Sequence, residues 1–231
     1  MVCREVVKVV SFDVTNTLIR LKTSPGSIYS CEGAKYGINL NKEAIDSVFR
    51  TNFKSLMNER PCFGFGQVDG VKKWWRELMF KSCGLDTNEN SNKFVNDLFV
   101  KFGEGHFYEL INQNSAHILE NLHLNGFKLA VVSNSDFRIR YILQHLGIAQ
   151  YFSRFIISSE TGIAKPDVAV FKRLSESFGC QNKNILHIGD SKLLDYDPII
   201  KCGGQGLILA DKEDDCLVIN NLNKLNQLLI N

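Results

Sequence analysis

The chain has 231 residues, of which 44% are hydrophobic and 23% are charged, and its net charge is +2 at pH 7. These proportions are typical of a globular protein, and the length suits one α/β domain with an insertion or two small domains. The basic residues are scattered and the charge is small, which argues against nucleic acid or an anionic membrane as a partner. The short acidic cluster from Asp211 to Asp215 is predicted to be a solvated loop.

Seven cysteines, the last of them Cys216, occur without the spacing of a metal site or a disulfide framework. The sequence also shows no secretory signal and no apolar run long enough to cross a membrane. Unpaired thiols are typical of reducing compartments. We therefore expect an intracellular protein, in the cytoplasm or the nucleus.

The first predicted element is the run 6–12, which is nearly all apolar and rich in β-branched residues. This composition predicts a strand buried on both faces of a parallel sheet. Similar apolar runs recur at 129–132, 155–157, 185–188 and 206–209. Amphipathic stretches of helical length lie between the strands at 115–124, 137–146 and 167–178. This alternation predicts an α/β fold with a Rossmann-like, doubly wound parallel sheet.

The segment between the first two predicted strands is far too long for a single crossover connection. It shows helical patterns at 42–57, 71–80 and 92–102 and no comparable strand. We expect a helical domain inserted after the first strand. The predicted division is therefore a core domain of residues 1–20 and 112–231 and a helical domain of residues 21–111.

Four polar clusters lie at the end of an apolar run or in the loop that follows one. They are Asp13 with Thr17, Ser133 with Asn134, Lys165 with Pro166, and Asp190 with Asp195. Ligands of an open α/β sheet bind beyond the carboxyl ends of its strands, so we expect these clusters to converge there. Taken alone, Asp13 or Ser133 is equally typical of a helix cap, and only the joint occurrence favours a site.

Each cluster offers a distinct chemical group. The Asp13 carboxylate can attack phosphorus or an activated carbon, and Ser133 with nearby backbone N–H groups can bind a phosphoryl oxygen. The Lys165 ammonium would offset the repulsion between nucleophile and substrate. Asp190 and Asp195 add hard oxygen ligands suited to Mg²⁺. Pro166 is expected in the first turn of the following helix.

The four clusters, in this order, resemble the motifs of the haloacid dehalogenase (HAD) superfamily of aspartate-nucleophile hydrolases, from Val6 to about Leu209. The resemblance implies a HAD core in which the helical insertion is a C1 cap, and a small phosphorylated substrate. The implied catalytic residues are Asp13, Lys165 and Ser133. The implied substrate-binding residues are Ser133, Asn134, Thr17 and Lys165, and the implied Mg²⁺ site consists of Asp13, the Thr15 carbonyl, Asp190 and Asp195.

One position departs from the phosphatase pattern of this superfamily, which has a second aspartate where this chain has Thr15. That aspartate protonates the leaving group and later activates water. Threonine does not titrate near neutral pH, so a general acid–base contribution of roughly 10²–10⁴-fold is expected to be missing. Neighbouring Asn16 cannot replace it.

Three functions remain open at this point. The first is a slow or specialised Mg²⁺-dependent phosphohydrolase that acts on good leaving groups. The second is a catalytically impaired binding or regulatory protein with the same fold. The third is a carbon–halogen hydrolase, which Asp190 and Asp195 disfavour because dehalogenases of this superfamily need no metal. The substrate and the oligomeric state are not predicted.

Two further expectations concern residues without a pattern of their own. His187 lies within a predicted strand and is expected to be a core histidine. Trp74 and Trp75 are adjacent, so they cannot face the same side of one helix. We expect one to pack inside the cap and the other to face the mouth of the site.

Overall fold

The structure, a computed structural model, describes residues 2–210 and 217–230. The acidic cluster 211–215 and Cys216 lie outside the described residues. The strands are β1 (Val9–Phe12), β2 (Ile19–Leu21), β3 (Tyr108–Leu110), β4 (Lys128–Ser133), β5 (Phe152–Ile157), β6 (Ile185–Gly189), β7 (Gln205–Leu209) and β8 (Val218–Ile219). The helices are α1 (Pro25–Ala34), α2 (Lys42–Glu59), α3 (Pro61–Gly64), α4 (Gly70–Cys83), α5 (Glu89–Gly103), α6 (Ser115–Leu124), α7 (Ile139–His145), α8 (Ser158–Thr161), α9 (Ala169–Phe178), α10 (Asp197–Lys201) and α11 (Lys224–Leu229).

Six strands form one sheet in the order β5–β4–β1–β6–β7–β8, and every neighbouring pair in it is parallel. The first strand lies at its centre, where Phe12 is level with Val131 of β4 and Ile188 of β6. The carboxyl ends of β1, β4 and β6 therefore meet at one edge. The predicted fold class, an α/β fold with a parallel sheet, is confirmed.

Alternate residues of β1 enter hydrophobic clusters on opposite faces of the sheet. Val10 and Phe12 lie in a cluster with Ile142 of α7, whereas Val9 lies in a second cluster with Phe171 of α9. Because both faces of β1 are buried, the sequence 6–12 does not alternate between apolar and polar residues. Helices on both faces make the sheet doubly wound. None of the helices in the described part of the chain is both long and apolar enough to span a membrane.

Between residues 22 and 105, all of which the structure describes, the regular elements are the helices α1–α5. This agrees with the predicted helical cap. A two-stranded antiparallel ribbon of β2 and β3, which the sequence did not predict, lies where the chain enters and leaves this segment. The domain boundaries at 20/21 and 111/112 stay a prediction.

Helix α1 was also missed, although its beginning carries a readable signal. Ser24 accepts a hydrogen bond from the N–H of Ser27 at 3.2 Å, and Pro25 occupies the first helical position. The helix lacks the apolar periodicity that reveals the others. At Gly26, an added Cβ would lie 2.1 Å from the carbonyl oxygen of Lys42, so α1 and α2 approach closely because this residue has no side chain.

Candidate active site

A buried lysine holds two carboxylates at the carboxyl edge of the sheet. Lys165 Nζ donates to Asp13 Oδ1 at 2.8 Å and to Asp195 Oδ1 at 2.5 Å. The exposed fractions of Lys165, Asp13 and Asp195 are 4%, 8% and 2%. The three residues predicted from separate clusters therefore form one ion-paired group that is largely shielded from water.

The position of Lys165 is fixed by the residue that follows β4. The Asn134 side chain accepts a hydrogen bond from the backbone N–H of Lys165 at 2.8 Å and donates one to its carbonyl at 2.7 Å. Asn134, which the sequence analysis expects to bind substrate, orients Lys165 through these two bonds. Ser133, which directly precedes Asn134, is the last residue of β4 and is buried. Phosphate binding by Ser133 and Asn134 stays a prediction.

The loop after β1 carries Asp13, whose N–H donates to the Ile188 carbonyl at 2.8 Å. Thr17, expected to orient this loop, is fully buried, but its Oγ1 has no hydrogen-bond partner among the described residues. Backbone bonds hold the turn instead, since the N–H groups of residues 17–19 donate to the carbonyl of Val14 at 3.2, 2.8 and 3.0 Å. A role for the Thr17 hydroxyl stays a prediction.

The loop after β6 brings Asp195 back against the strand end. Lys192–Tyr196 forms a single π-helical turn, an irregularity often found at functional sites. Ser191 caps it by accepting from the Leu194 N–H at 3.2 Å, and its own N–H donates to Asp195 Oδ2 at 3.1 Å. A Cβ on Gly189 would lie 2.1 Å from Asp195 Cγ, so only glycine allows this approach.

The structure corrects the expected position of Pro166. It follows Lys165 through a cis peptide bond and precedes α9, which begins at Ala169. A turn intervenes, because the Asp167 N–H donates to the Ala164 carbonyl at 3.0 Å. The carboxylate of Asp167 then accepts from the N–H of Ala169, the first residue of the helix, at 2.9 Å.

Two buried groups behind Lys165 complete a chain of hydrogen bonds. His187 Nε2 lies 3.0 Å from Asp195 Oδ1, and His187 Nδ1 lies 2.9 Å from Ser11 Oγ. Ser11 and His187 are level with each other on β1 and β6, which places both on the same face. His187 is a buried strand histidine, as expected, but its contact with Asp195 was missed. That contact depends on how the loop after β6 folds back onto the strand.

The charges in this chain of contacts support one another. Burial alone would lower the pKa of Lys165, but the charges of Asp13 and Asp195 outweigh it and raise the pKa. Burial also opposes ionisation of Asp195, yet the hydrogen bond from His187 and the charge of Lys165 hold its pKa below the usual range. Burial lowers the pKa of His187, which is therefore neutral at pH 7. Its Nε2–H is assigned to Asp195, and Ser11 then donates to Nδ1.

A third carboxylate makes the site suitable for a divalent cation. Carboxylate oxygens of Asp13, Asp190 and Asp195 lie within 4.8 Å of one another. Desolvation of the Asp190 carboxyl and the negative charges of Asp13 and Asp195 raise its pKa to about 6, although the residue as a whole is exposed. A cation would offset this repulsion. Hard oxygen ligands in this arrangement fit Mg²⁺.

The cap contacts the core through a buried ion pair that the sequence did not predict. Arg138 Nε and one terminal nitrogen donate to the two oxygens of Asp136, each at 2.8 Å, and its other terminal nitrogen donates to the Phe99 carbonyl of α5 at 2.8 Å. Trp75 Nε1 of α4 donates to Asp136 Oδ2 at 2.7 Å. Trp74 is fully buried inside the cap, as expected of one of the two tryptophans, whereas Trp75 is partly buried; both rings contact Phe53 and Phe63.

Comparison with known proteins identifies the family. A profile of haloacid dehalogenase-like hydrolases matches residues 7–203. The chain belongs to the haloacid dehalogenase-like hydrolase family. Haloacid dehalogenase-like hydrolase domain-containing protein 3 of Danio rerio is 29% identical over 210 residues, which cover 90% of this chain and 86% of the relative. The Gly- and aromatic-rich loop 61–66 and the Ser-Asn-Ser-Asp sequence 133–136 resemble the same protein.

Solved structures of a magnesium-bound hydrolase and of a dehalogenase share the fold of this chain. The putative HAD-hydrolase YfnB from Bacillus subtilis, bound to magnesium, superposes with a TM-score of 0.72 at 20% identity, covering 96% of this chain and 98% of that one. A dehalogenase with an intermediate complex also superposes with a TM-score of 0.72, at 15% identity, covering 97% of this chain and 98% of that one. Similarity at 15–20% identity shows that this HAD-like hydrolase has the same fold, but it does not distinguish phosphate hydrolysis from dehalogenation.

Proposed function

We propose that this HAD-like hydrolase is a Mg²⁺-dependent phosphohydrolase in which Asp13 is the nucleophile and Thr15 restricts the range of substrates. The observation that carries this is the cluster of Asp13, Asp190 and Asp195 beside the buried ammonium of Lys165. Three carboxylates around one small volume suit a cation and a phosphoryl group. Displacement of a halide by a carboxylate would gain little from them.

The contacts divide the roles among the carboxylates. Both oxygens of Asp195 already accept hydrogen bonds, Oδ1 from Lys165 and His187 and Oδ2 from the Ser191 N–H. Asp195 is therefore assigned to orienting Lys165 and to the outer surroundings of the metal, and Asp13 and Asp190 are assigned to direct ligation. When bound, Mg²⁺ would polarise the phosphoryl group and keep the nucleophile ionised.

The reaction then follows from the chain's own groups. Lys165 binds Asp13 Oδ1, so the second oxygen, Oδ2, is assigned to the attack on phosphorus. The bond from phosphorus to the leaving oxygen breaks, and that oxygen takes the electron pair. Water then attacks the aspartyl phosphate, which releases inorganic phosphate and restores Asp13. The Lys165 ammonium stabilises the charge that gathers on the phosphoryl oxygens.

Thr15 limits the first of these steps. It is exposed at the site and carries no titratable group. The leaving oxygen therefore departs without a proton from this position, which favours groups that are stable as anions. Aryl and acyl phosphates meet this condition, and alkyl phosphates do not.

The test is turnover of phenyl, acetyl and ethyl phosphate with and without Mg²⁺, in wild type and in Asp13→Asn. We expect Mg²⁺-dependent release of phosphate from the first two substrates and none from Asp13→Asn. Asp167→Asn is the matched control, because Asp167 is exposed and outside the site. Titration calorimetry should show that Asp190→Asn weakens Mg²⁺ binding strongly. Unchanged Mg²⁺ affinity would remove the metal assignment.

A catalytically impaired binding protein is the second candidate, and Thr15 is the observation that favours it. Such a protein would bind Mg²⁺ and a phosphorylated ligand at the same carboxylates but release no phosphate. The substrate panel separates the two candidates. Absence of turnover by wild type and by Thr15→Asp, with intact Mg²⁺ binding, would put the binding function first.

An intracellular, cytoplasmic location is part of the proposal. It is supported by the cysteines, because the six in the described residues are all unpaired. Free thiols persist in reducing compartments.

A further inference from the structure

A cavity of about 260 Å³ lies between the cap and the core, next to the proposed reacting groups. Thr15 and Asn134 line it, and these residues follow Asp13 and Ser133 closely in the chain. The loops that carry Asp13 and Ser133 therefore form part of its wall. A substrate whose phosphoryl group meets Asp13 would place its remaining part here.

The lining of this cavity is mainly aromatic. Its rings all come from the segment 21–111 assigned to the cap: Tyr29, Phe49, Phe53, Phe63, Trp75, Phe102 and Tyr108. Several already contact one another, with Phe63 stacked on Trp75 at 5.9 Å between centroids and Phe53 edge-on to Trp75 at 6.0 Å. Such walls favour a flat apolar group that adds further ring contacts.

The charged side chains at the cavity are already neutralised. Arg138 directs its hydrogen bonds to Asp136 and to the Phe99 carbonyl, and Asp136 accepts from Arg138 and Trp75. Neither charge is left to bind a second anionic group of a ligand. The Ser135 hydroxyl, by contrast, is buried with no hydrogen-bond partner among the described residues, so one polar atom of a ligand can bind there.

The size of the cavity limits its occupant. An apolar cavity of about 150 Å³ holds one benzene ring. The volume of about 260 Å³ therefore suits one ring with a substituent or two fused rings. A nucleotide or an oligosaccharide is too large and too polar for these walls.

We propose that this cavity binds the aromatic group of an aryl or aroyl phosphate, which makes such esters or anhydrides the substrate class of the site. The proposal rests on the proposed phosphohydrolase function. Hydrolysis breaks the bond between phosphorus and the phenolic or carboxylic oxygen, which leaves with the electron pair, while water supplies the oxygen of the released phosphate. The absent proton donor at Thr15 and the aromatic walls thus select the same compounds for independent reasons.

Leaving-group strength must be separated from recognition of the ring. Benzoyl phosphate and acetyl phosphate are both acyl phosphates with carboxylate leaving groups, but only the first carries a ring. We expect kcat/KM with Mg²⁺ to be at least about tenfold higher for benzoyl phosphate, given the apolar area of a buried ring. Equal values for the two compounds would overturn the aromatic site and leave the phosphohydrolase function in place.

A binding experiment tests the cavity without turnover. Phenylphosphonate and methylphosphonate cannot be hydrolysed at phosphorus, and the chain has two tryptophans, of which Trp75 lines the cavity. With Mg²⁺ present, phenylphosphonate should alter the emission of wild type but not of Trp75→Phe, and by calorimetry it should bind at least about tenfold tighter than methylphosphonate. Tighter phenylphosphonate binding without any phosphate release would support the aromatic site and contradict the hydrolase.

Two matched variants test whether the preference for benzoyl over acetyl phosphate arises in the cavity. Phe49 and Phe80 are both partly buried phenylalanines of the cap, but only Phe49 lines the cavity. Phe49→Ala should reduce the benzoyl-to-acetyl preference at least about threefold, and Phe80→Ala should leave it unchanged. Phe49→Leu removes the ring with less loss of volume, and it replaces Phe49→Ala in this test if Phe49→Ala does not fold. A preference that survives loss of the Phe49 ring, or falls equally in Phe80→Ala, would overturn the assignment.

Discussion

Thr15 is the residue at which this site differs most from the phosphatase pattern it resembles. If leaving-group protonation is what the site lacks, Thr15→Asp should supply it, because the new carboxyl would lie at the edge of the cavity that holds the leaving group. We expect Thr15→Asp to raise kcat/KM for ethyl phosphate roughly 10²-fold or more, with little gain for acetyl phosphate. Phosphate release from both substrates is the measurement.

The double variant Thr15→Asp/Asp13→Asn is the control for this prediction, since a new acid cannot help without the nucleophile. The wild type itself offers a second test of the missing acid–base group at position 15. Without a base at position 15, hydrolysis of the aspartyl phosphate is slowed, and acid quenching during turnover should trap phosphate on the protein. Full activity of the wild type on ethyl phosphate would show that another residue donates the proton.

Gly189 provides a residue-scale test of the Asp195 arrangement that does not alter any polar group. An added Cβ would lie 2.1 Å from Asp195 Cγ, so Gly189→Ala should displace the partner of Lys165 and lower the free energy of unfolding by about 1–3 kcal/mol. At Gly147, with φ of 71° and open space around it, alanine strains only the backbone. Both variants should lose stability in urea titration, but only Gly189→Ala should lose turnover.

The sequence predicted that Asp13, Ser133 and Asp190 converge, because each directly follows a strand and parallel strands end at one edge. Lys165 lies beyond α8, and its ion pair with Asp13, 152 positions away, was expected from the resemblance to the HAD motifs. The contact of His187 with Asp195 could not be predicted in this way, because it depends on how the chain folds back after Gly189. The contacts of the Asp136–Arg138 pair with Phe99 and Trp75 were also missed, because they join residues of the core to residues of the cap.

At the scale of elements, the Asp136–Arg138 pair joins the start of α7 to helices α4 and α5 of the cap. Both side chains are buried, with exposed fractions of 6% and 7%. Removal of one charge from such a pair leaves the other uncompensated. We expect Asp136→Asn to lower the free energy of unfolding by about 3 kcal/mol. Urea titration followed by far-UV circular dichroism measures this change.

Asp136→Asn should also alter the emission of Trp75, whose N–H donates to the replaced carboxylate. Glu160→Gln is the matched control. Its partner Arg140 lies in α7, which Arg138 directly precedes, but the side chains of the Arg140–Glu160 pair are 40% and 33% exposed, so a change below about 1 kcal/mol is expected. Equal effects of the two substitutions would mean that burial of the Asp136–Arg138 pair does not determine how the cap is held.

The elements that the sequence predicted are those with strong periodicity or long apolar runs. Strands β1 and β4–β7 and helices α2, α4, α5, α6, α7 and α9 belong to this group. The ribbon of β2 and β3 was missed because each strand has three residues and is stabilised by pairing across the chain. Helix α11 has six residues and gave no signal of its own.

At the scale of the whole molecule, two hydrophobic units meet over one polar site. The cap has its own buried clusters around Phe94 and Trp74, separate from those of the sheet. Its aromatic residues nevertheless supply much of the wall of the cavity above the catalytic loops. In the proposed function, substrate recognition therefore depends on the cap, whereas the groups assigned to the chemistry belong to the core.

A buried carboxylate that is paired with two lysines inside the cap links the stability of the molecule to pH. Glu32 of α1 is buried and accepts from Lys101 of α5 at 2.6 Å and from Lys35 at 2.5 Å. Burial would raise the pKa of Glu32, but the bonds and charges of Lys101 and Lys35 outweigh it and lower the pKa. A lowered pKa in the folded state stabilises the protein above the unfolded value of 4.5, and this contribution is lost as the pH falls through the folded pKa.

Glu32→Gln should therefore lower the free energy of unfolding by about 1 kcal/mol at pH 7, a modest value because both lysines are partly exposed. The difference from wild type should persist down to about pH 5 and shrink at lower pH, where Glu32 itself becomes protonated. Glu43→Gln is the control, since Glu43 is exposed on α2 and its loss should cost less than about 0.5 kcal/mol. Urea titrations between pH 3 and 7 measure both variants. A difference that grows on acidification would show that the folded pKa of Glu32 is raised and not lowered.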